Sequence, residues 1–417
     1  MIKLSYSTFG LTNLNFLTAI DEVEKAGYPG IEISFHRDQF NPFDLSDDDL
    51  ENVRKRLNAG RVQAACVATA SHFFTPQRPH EPSLMSPDLA GRKRRIDLVK
   101  RGIHVARKLG INLVTFGSGF IRDEHVSNPS VNPRELLIDS IQQCLAEIRP
   151  DEDITLLIEP EPGMYIETME QGLSLMHEIN SPRFRLHVDI LHSYCSERNY
   201  VEALAQAAPH IRYLHISDAQ QGYNLKIVKD AETLSFDLDF ASYLVYFPET
   251  ADYILLDRHF PRYFCDTPPS LSQRKRLDSL LAQAGIQQPL EIIHYPGLYA
   301  GASPFDDEFF TYWISVPGLS YDVLERTKPI LGYLRGVKGP QLVNKRIANT
   351  LTGIVHFHEI PGEGTLDFAA SFKALADNGF DGYGSVELYH HVESWQKALK
   401  DSYQHLSQFV EQQTSAI

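Results

Sequence analysis

The chain has 417 residues, 43% hydrophobic and 22% charged, the proportions of a globular protein that can bury one large core or two medium ones. Its formal net charge of −15 at pH 7 argues against duplex nucleic acid or an anionic membrane as a partner, because both are bound through Lys and Arg. The four cysteines are scattered without a Cys-x-x-Cys pair, which argues against a disulfide framework and a thiolate zinc site. With no apolar leader and no run long enough to span a bilayer, a cytoplasmic protein is predicted.

Short apolar runs recur along the chain and predict eight strands. Each run is rich in Val, Ile, Leu or aromatic residues and does not alternate strictly with polar residues, which is typical of strands buried on both faces. The predicted strands are residues 2–8, 30–35, 61–70, 111–117, 153–159, 183–189, 211–217 and 382–388.

The segments between these strands have helical periodicity. In the third of them, Ser86 and Pro87 suit the start of a helix that Gly110 can end. The basic residues 92–95 lie within this helix, and we predict that they form part of its solvated outer face, with contact to a phosphate or a partner as the alternative.

Eight strand–helix alternations predict an α/β protein of the (β/α)8 TIM barrel class. A large insertion between strand 7 and its helix interrupts the pattern, so we predict a barrel from residues 1–218 and 353–417 and a subdomain from 219–352. The subdomain could act as a lid or an oligomer contact. Its aromatic residues are predicted to form its own small core and its two histidines to be structural; these residues are Phe309, Phe310, Tyr312, Trp313, His259 and His294.

Charged or imidazole side chains stand at the ends of four predicted strands. The residues are Glu159, Asp189 with His192, His215 with Asp218, and Glu387. The carboxyl ends of barrel strands meet at one mouth, where several carboxylates would repel one another unless a cation lay between them. Glu159, Asp189, His215 and Glu387 would form a mixed oxygen–nitrogen set of four, which suits one divalent ion such as Mn, Mg, Co or Zn.

The ordered motifs resemble the xylose isomerase-like barrel superfamily, which includes sugar phosphate isomerases, ketose 3-epimerases, inosose dehydratases and apurinic endonucleases. The matching motifs are AGYPGIEIS, IEPEPG, DILH, LHISD, GEGTLDF and VEL, over about residues 1–218 and 353–415. The resemblance implies that Glu159, Asp189, His215 and Glu387 are the metal ligands. It also implies that Glu159 and Glu387 flank the substrate carbon and move a proton next to a carbonyl.

The same resemblance implies roles for four histidines in substrate binding. His192 would bind a substrate hydroxyl or a second metal, and His72 and His358 match positions that bind metal in the endonucleases or substrate in the epimerases. His356 takes the place of an endonuclease aspartate. In GEGTLDF the glycines supply tight turns and Asp367 is predicted to cap the next helix, whereas a phosphate loop would need Gly-Lys-Ser/Thr.

These observations leave several functions open. The leading hypothesis is a metal-dependent isomerase or epimerase of a small sugar, sugar phosphate or cyclitol, with a dehydratase of inosose or dehydroshikimate type as an alternative. A second hypothesis is an apurinic endonuclease, although the fourth strand lacks the expected histidine. A third is a non-catalytic metabolite-binding protein, and the chain could form a homo-oligomer.

Overall fold

The structure is a computed structural model that describes residues 2–69, 73–74, 80–121, 123–126, 130–219, 354, 356 and 358–415, with short backbone segments between 243 and 344. The strands are β1 (Ile2–Ser7), β2 (Gly30–Ser34), β3 (Gln63–Ala68), β4 (Leu113–Gly117), β5 (Thr155–Glu159), β6 (Phe184–Asp189), β7 (Ile211–Ile216), β8 (Tyr243–Phe247), β9 (Asp252–Leu256), β10 (Arg262–Cys265), β11 (Glu291–His294), β12 (Tyr312–Ser315), β13 (Leu342–Asn344) and β14 (Gly382–Val386).

Helices follow the strands in the alternation that the sequence predicts. They are α1 (Phe16–Lys25), α2 (Asp47–Ala59), α3 (Leu89–Leu109), α4 (Asp123–Val126), α5 (Pro133–Leu145), α6 (Met169–Ile179), α7 (Ile190–Ser196), α8 (Tyr200–Ala207), α9 (Phe368–Asp377) and α10 (Trp395–Ser415), with 3-10 turns at Thr8–Leu11, Ala208–His210 and Tyr389–Ser394. Of the helices in the described part of the chain, none combines the length and the apolar composition that crossing a bilayer would take.

Eight parallel strands close into a barrel in the order β1-β14-β7-β6-β5-β4-β3-β2, which confirms the (β/α)8 fold. The main apolar core lies between the barrel strands and the helices that follow them. A separate small cluster fills part of the barrel interior with side chains from β3, β5 and β7, the arrangement expected when alternate strands contribute one layer. Its buried members are Ala65, Cys66, Leu157 and Tyr213.

Local capping differs from the prediction at one helix and agrees at another. Helix α3 begins after Asp88, whose carboxylate accepts hydrogen bonds from the backbone N–H groups of Ala90 and Gly91, so the predicted start at Ser86 is wrong. Gly110 ends this helix with a left-handed φ of 73°. Asp367 caps α9 by accepting from the Ala370 N–H at 2.9 Å, as predicted.

The basic cluster in α3 is solvated only in part. Lys93 and Arg94 are exposed, but Arg95 is 5% exposed and lines a cavity inside the barrel mouth. Arg95 precedes the buried Val99 by four residues, so both lie on the inner face of the helix. The prediction of an outer face is therefore wrong for Arg95.

The chain leaves the barrel after β7 and returns before α9, and Asp218 joins the two ends. Its backbone pairs with Glu359 through two hydrogen bonds of 2.8 and 2.9 Å. Its carboxylate accepts hydrogen bonds from four backbone N–H groups, those of Ala219, Gly362, Gly364 and Leu366. A Cβ on Gly364 would clash with this carboxylate, which explains the glycine in GEGTLDF. Asp218 is thus a structural residue of the loop.

Between β7 and α9, the described strands lie outside the barrel. They form two three-stranded antiparallel sheets, ordered β10-β12-β11 and β13-β8-β9. The domain boundaries at 219 and 352 stay a prediction. The aromatic and histidine side chains singled out in this insertion lie outside the described residues.

Candidate metal centre at the barrel mouth

Four side chains from four barrel strands meet at the C-terminal mouth. Glu159 ends β5, Asp189 ends β6, His215 is the penultimate residue of β7, and Glu387 follows β14 directly. His215 Nδ1 lies 3.4 Å from Glu159 Oε1 and 3.5 Å from Glu387 Oε2. Asp189 completes the set of four. It offers a ligand atom within 4.8 Å of one on Glu159, and also a ligand atom within 4.8 Å of one on Glu387.

The donor atoms of this set fit a shared cation. Atoms that bind one ion at about 2.1 Å lie about 3.0–3.4 Å apart, close to the two shortest separations around His215. Among the buried side-chain atoms of the described residues that have no hydrogen-bond partner, three belong to this set: Glu159 Oε1, Asp189 Oδ2 and His215 Nδ1. Buried polar atoms rarely lack a partner, so three together indicate a ligand site.

The pKa shifts of these four residues also favour a cation site. Burial raises the pKa of Asp189 to about 6 and also raises the pKa of Glu159. Burial and repulsion from Glu159 hold the pKa of Glu387 well above its usual value, despite the attraction of His215. Burial lowers the pKa of His215, but Glu32, Glu387 and Glu159 outweigh it and raise that pKa well above the ordinary value. A cation among these carboxylates would relieve their repulsion.

Two of the four residues are more accessible than the other two. The side chains of Glu159 and Glu387 are each 14% exposed, whereas those of Asp189 and His215 are 0% and 3% exposed. Three strand steps separate β5 from β14 around the barrel, so the two glutamates approach the centre from different sides. The glutamates therefore face the cavity while Asp189 and His215 lie deeper.

Three of the four histidines predicted for substrate binding adjoin this centre. His192 and His358 line the cavity, and His192, His356 and His358 offer ligand atoms that all lie within 4.8 Å of one another. His358 Nδ1 lies 2.9 Å from the Glu387 carbonyl oxygen, an arrangement in which the ring N–H donates. Burial lowers the pKa of His358 to about 4. The fourth histidine, His72, lies outside the described residues.

A cavity of about 70 Å³ opens above these groups. Beside the cluster, its wall combines aromatic rings, small residues and further polar groups that the sequence did not single out for the site. Its other lining residues are Phe9, Ser34, Ala68, Thr69, His80, Ser83, Arg95, Thr115, Phe116, Gly117, Glu161 and Tyr389. The mixed lining, in which several polar groups converge on one space, suits a small polar molecule.

Two buried residues beneath the cluster were also missed. Glu32 Oε2 lies 2.7 Å from His215 Nε2, and His187 Nδ1 lies 2.8 Å from Thr115 Oγ1 and 3.5 Å from Glu159 Oε2. Both have 0% exposure. The available signal was a charged or imidazole residue between two apolar neighbours in a strand, in GIEIS and in RLHVD.

Comparison with known proteins identifies the relatives of this chain. A family model described as "Xylose isomerase-like TIM barrel" matches residues 20–261. The L-ribulose-5-phosphate 3-epimerase UlaE of Shigella flexneri serotype 5b is 22% identical over 44% of this chain, and a probable ketose 3-epimerase of Synechocystis sp. is 23% identical over 48%. Each match covers 66% of the relative, just under two thirds of its length.

A solved structure described as the IOLI protein with a binding zinc atom has a similar fold. Its TM-score is 0.54 at 15% identity, and the alignment covers 99% of both chains. A D-tagatose 3-epimerase-like protein aligns with a TM-score of 0.53 at 13% identity, over 98% of this chain and 100% of that one. At these identities the likeness concerns the fold alone.

Proposed function

The chain belongs to the xylose isomerase-like TIM barrel family, and from this premise we propose that it is a divalent-metal-dependent isomerase or epimerase of a small sugar, sugar phosphate or cyclitol. The observation that carries the proposal is the convergence of two accessible glutamates with a deeper aspartate and histidine on one cavity. Matches to two 3-epimerases support sugar chemistry in particular.

In this proposal the metal ligands are Glu159, Asp189, His215 and Glu387. When bound, the divalent ion (Mn, Mg, Co or Zn) would polarise oxygens of the substrate and make the hydrogen on the neighbouring carbon more acidic. The unpartnered atoms Glu159 Oε1, Asp189 Oδ2 and His215 Nδ1 support this assignment.

The glutamates would carry the proton. One of Glu159 and Glu387 accepts the proton from the carbon next to the carbonyl, and the other returns a proton from its own side. Their placement on β5 and β14 supports such two-sided transfer. His192, His356 and His358, and with them His72, would bind substrate hydroxyls and hold the reacting carbon between the two carboxylates.

Deuterium incorporation tests this function. With Mn²⁺ in D2O, incubation with ketohexoses, ketopentose phosphates and inososes should yield an isomer or epimer labelled at the carbon next to the carbonyl, seen by NMR. Glu159→Gln and Glu387→Gln should each lower kcat by about 10²–10⁴, the usual contribution of a positioned acid or base. Glu178→Gln, which alters an exposed ion pair with Arg134, is the matched control and should keep full activity.

Two outcomes would contradict the proposal. If the protein retains full activity after its metal has been removed by a chelator, the metal takes no part in the reaction. If both glutamine variants retain full activity, the two glutamates do not transfer the proton. A product that has lost water would favour the dehydratase alternative.

The cluster of His192, His356 and His358 favours a second candidate function, hydrolysis of a phosphodiester at abasic DNA. Three imidazoles with ligand atoms within 4.8 Å of one another could hold a further zinc ion beside the first centre. Elemental analysis distinguishes the candidates: two or three zinc ions per chain would support the endonuclease, and one ion per chain would eliminate it. The net charge of −15 disfavours it.

A further inference from the structure

A fully buried carboxylate lies directly beneath the proposed histidine ligand. Glu32 is in β2, and its Oε2 lies 2.7 Å from Nε2 of His215. We propose that Glu32 is a positioning residue that fixes the tautomer and the ring orientation of His215, so that Nδ1 is presented to the metal. This inference rests on the metal centre of the proposed function and concerns a residue outside the set of four ligands.

The hydrogen bond decides which ring nitrogen is free to bind. A carboxylate only accepts hydrogen bonds, so Nε2 must carry the hydrogen that it donates to Glu32. In the neutral imidazole the lone pair is then on Nδ1. Nδ1 is the ring atom that lies 3.4 Å from Glu159 and 3.5 Å from Glu387, and it has no hydrogen-bond partner among the described residues.

The position of Glu32 is itself held in place. The side chains of Ser7 and Tyr213 lie beside the Glu32 carboxylate. Tyr213 donates to Ser385 at 2.7 Å, and Ser385 lies 2.6 Å from the hydroxyl of Ser5. Strands β1, β7 and β14 thus support one side chain of β2, which restricts its movement.

Burial of this carboxylate has a cost that packing alone does not explain. Barrel interiors are mostly filled by Val, Ile and Leu, and removing an ion from water costs several kcal/mol. Carboxylates that accept from the second nitrogen of a metal-binding histidine increase the basicity of that ligand and commonly change metal affinity 10–100-fold. A role in metal binding therefore accounts for both the burial and the direction of Glu32.

Two substitutions distinguish the effect of the negative charge on Glu32 from the effect of the hydrogen bond that orients His215. Glu32→Gln keeps the shape and an acceptor oxygen but removes the charge, whereas Glu32→Leu removes the acceptor at similar volume. We expect the Kd for Mn²⁺, measured by competition with a chromophoric chelator, to rise about 10-fold in the first and about 100-fold in the second. The visible spectrum of the Co²⁺-loaded protein should also change, because it reports the geometry of the ligands.

The control variant is Glu152→Gln, which breaks an ion pair with Arg107. Glu152 precedes β5 and so lies at the end of the barrel opposite the mouth. It should lower the denaturation midpoint without changing the Kd or the Co²⁺ spectrum, which separates lost stability from lost positioning.

The outcomes distinguish the inference from the proposed function. If the wild-type protein binds no divalent ion, both the proposed metal centre and the proposed role of Glu32 are wrong. If the wild type binds Mn²⁺ and both Glu32 variants match it in Kd and in Co²⁺ spectrum, the role of Glu32 is overturned while the metal centre stands. The isosteric Gln variant keeps the test decisive even if Glu32→Leu does not fold.

Discussion

At the scale of single residues, the two carboxylate oxygens of Asp189 are in different environments. Its Oδ1 accepts a 2.8 Å hydrogen bond from the backbone N–H of Leu191 and thereby caps α7. Its Oδ2 points into the cluster and has no hydrogen-bond partner in the described part of the chain. One oxygen therefore stabilises the fold while the other is available to a cation.

Substituting Asp189→Asn should separate the capping role of Oδ1 from the proposed cation binding by Oδ2. Asn caps helices as well as Asp does, so its oxygen should keep the bond to Leu191 and its NH2 group should replace Oδ2. We expect the metal-free variant to melt at or above the metal-free wild type, because one repelling charge is gone. Mn²⁺ at 100 times its Kd should stabilise the wild type by about 2.7 kcal/mol and leave the variant unchanged in differential scanning fluorimetry.

Asp88→Asn is the matched control, since it also alters a helix-capping aspartate, but one that caps α3, outside the cluster. This control should keep the Mn²⁺-dependent rise in Tm. An Asp189→Asn variant that also kept the rise would show that Oδ2 does not bind the ion.

At the scale of secondary-structure elements, Asp218 joins β7 to the loop before α9. Replacing it by Asn leaves one oxygen to accept and turns an NH2 group toward backbone N–H groups. Charge-assisted hydrogen bonds contribute about 1.5–3 kcal/mol each, so Asp218→Asn should destabilise the protein by about 2–4 kcal/mol. The denaturant midpoint should fall, and hydrogen exchange should quicken at the amides of Gly362, Gly364 and Leu366.

The neighbouring Asp367→Asn provides the comparison, because Asn is an equally good cap for α9. Its midpoint should stay within about 0.5 kcal/mol of the wild type. Equal effects of the two substitutions would contradict a special function of Asp218 in closing the loop.

At the scale of the whole molecule, the barrel closes through β1–β7 and β14 alone. The two ends of the insertion lie together, since Ala219 and Ile354 pack in one cluster with Leu191 and Cys195. A variant with residues 221–352 replaced by a short Gly-Ser linker should therefore fold. Its circular dichroism should be that of a (β/α)8 barrel, and it should bind the same number of Mn²⁺ ions per chain as the full protein.

Failure of this variant to fold, with Asp218 and Glu359 unchanged, would mean that the insertion contributes to the barrel core. If it folds, binds metal and retains activity, the insertion has another function, such as oligomer contact. The non-catalytic hypothesis is favoured if the variant without the insertion no longer performs the protein's role in the cell while the Glu387→Gln variant still does.

Much of the fold was predictable because its signals are local. Apolar runs of six to ten residues and helical periodicity identified all eight barrel strands. The capping residue Asp88 and the inward face of Arg95 were missed, because both depend on where the helix begins and how it is rotated against the barrel. The cytoplasmic location, the oligomeric state and the domain boundaries stay predictions.

The sequence alone determined the barrel class and identified the strand-end residues Glu159, Asp189, His215 and Glu387, because polar groups that end apolar strands stand out against their neighbours. Only the tertiary structure decided that Glu32 lies against His215. These two residues are 183 positions apart in the chain. No local pattern encodes such a contact, because it arises when β2 and β7 close into the same barrel and their inward side chains meet.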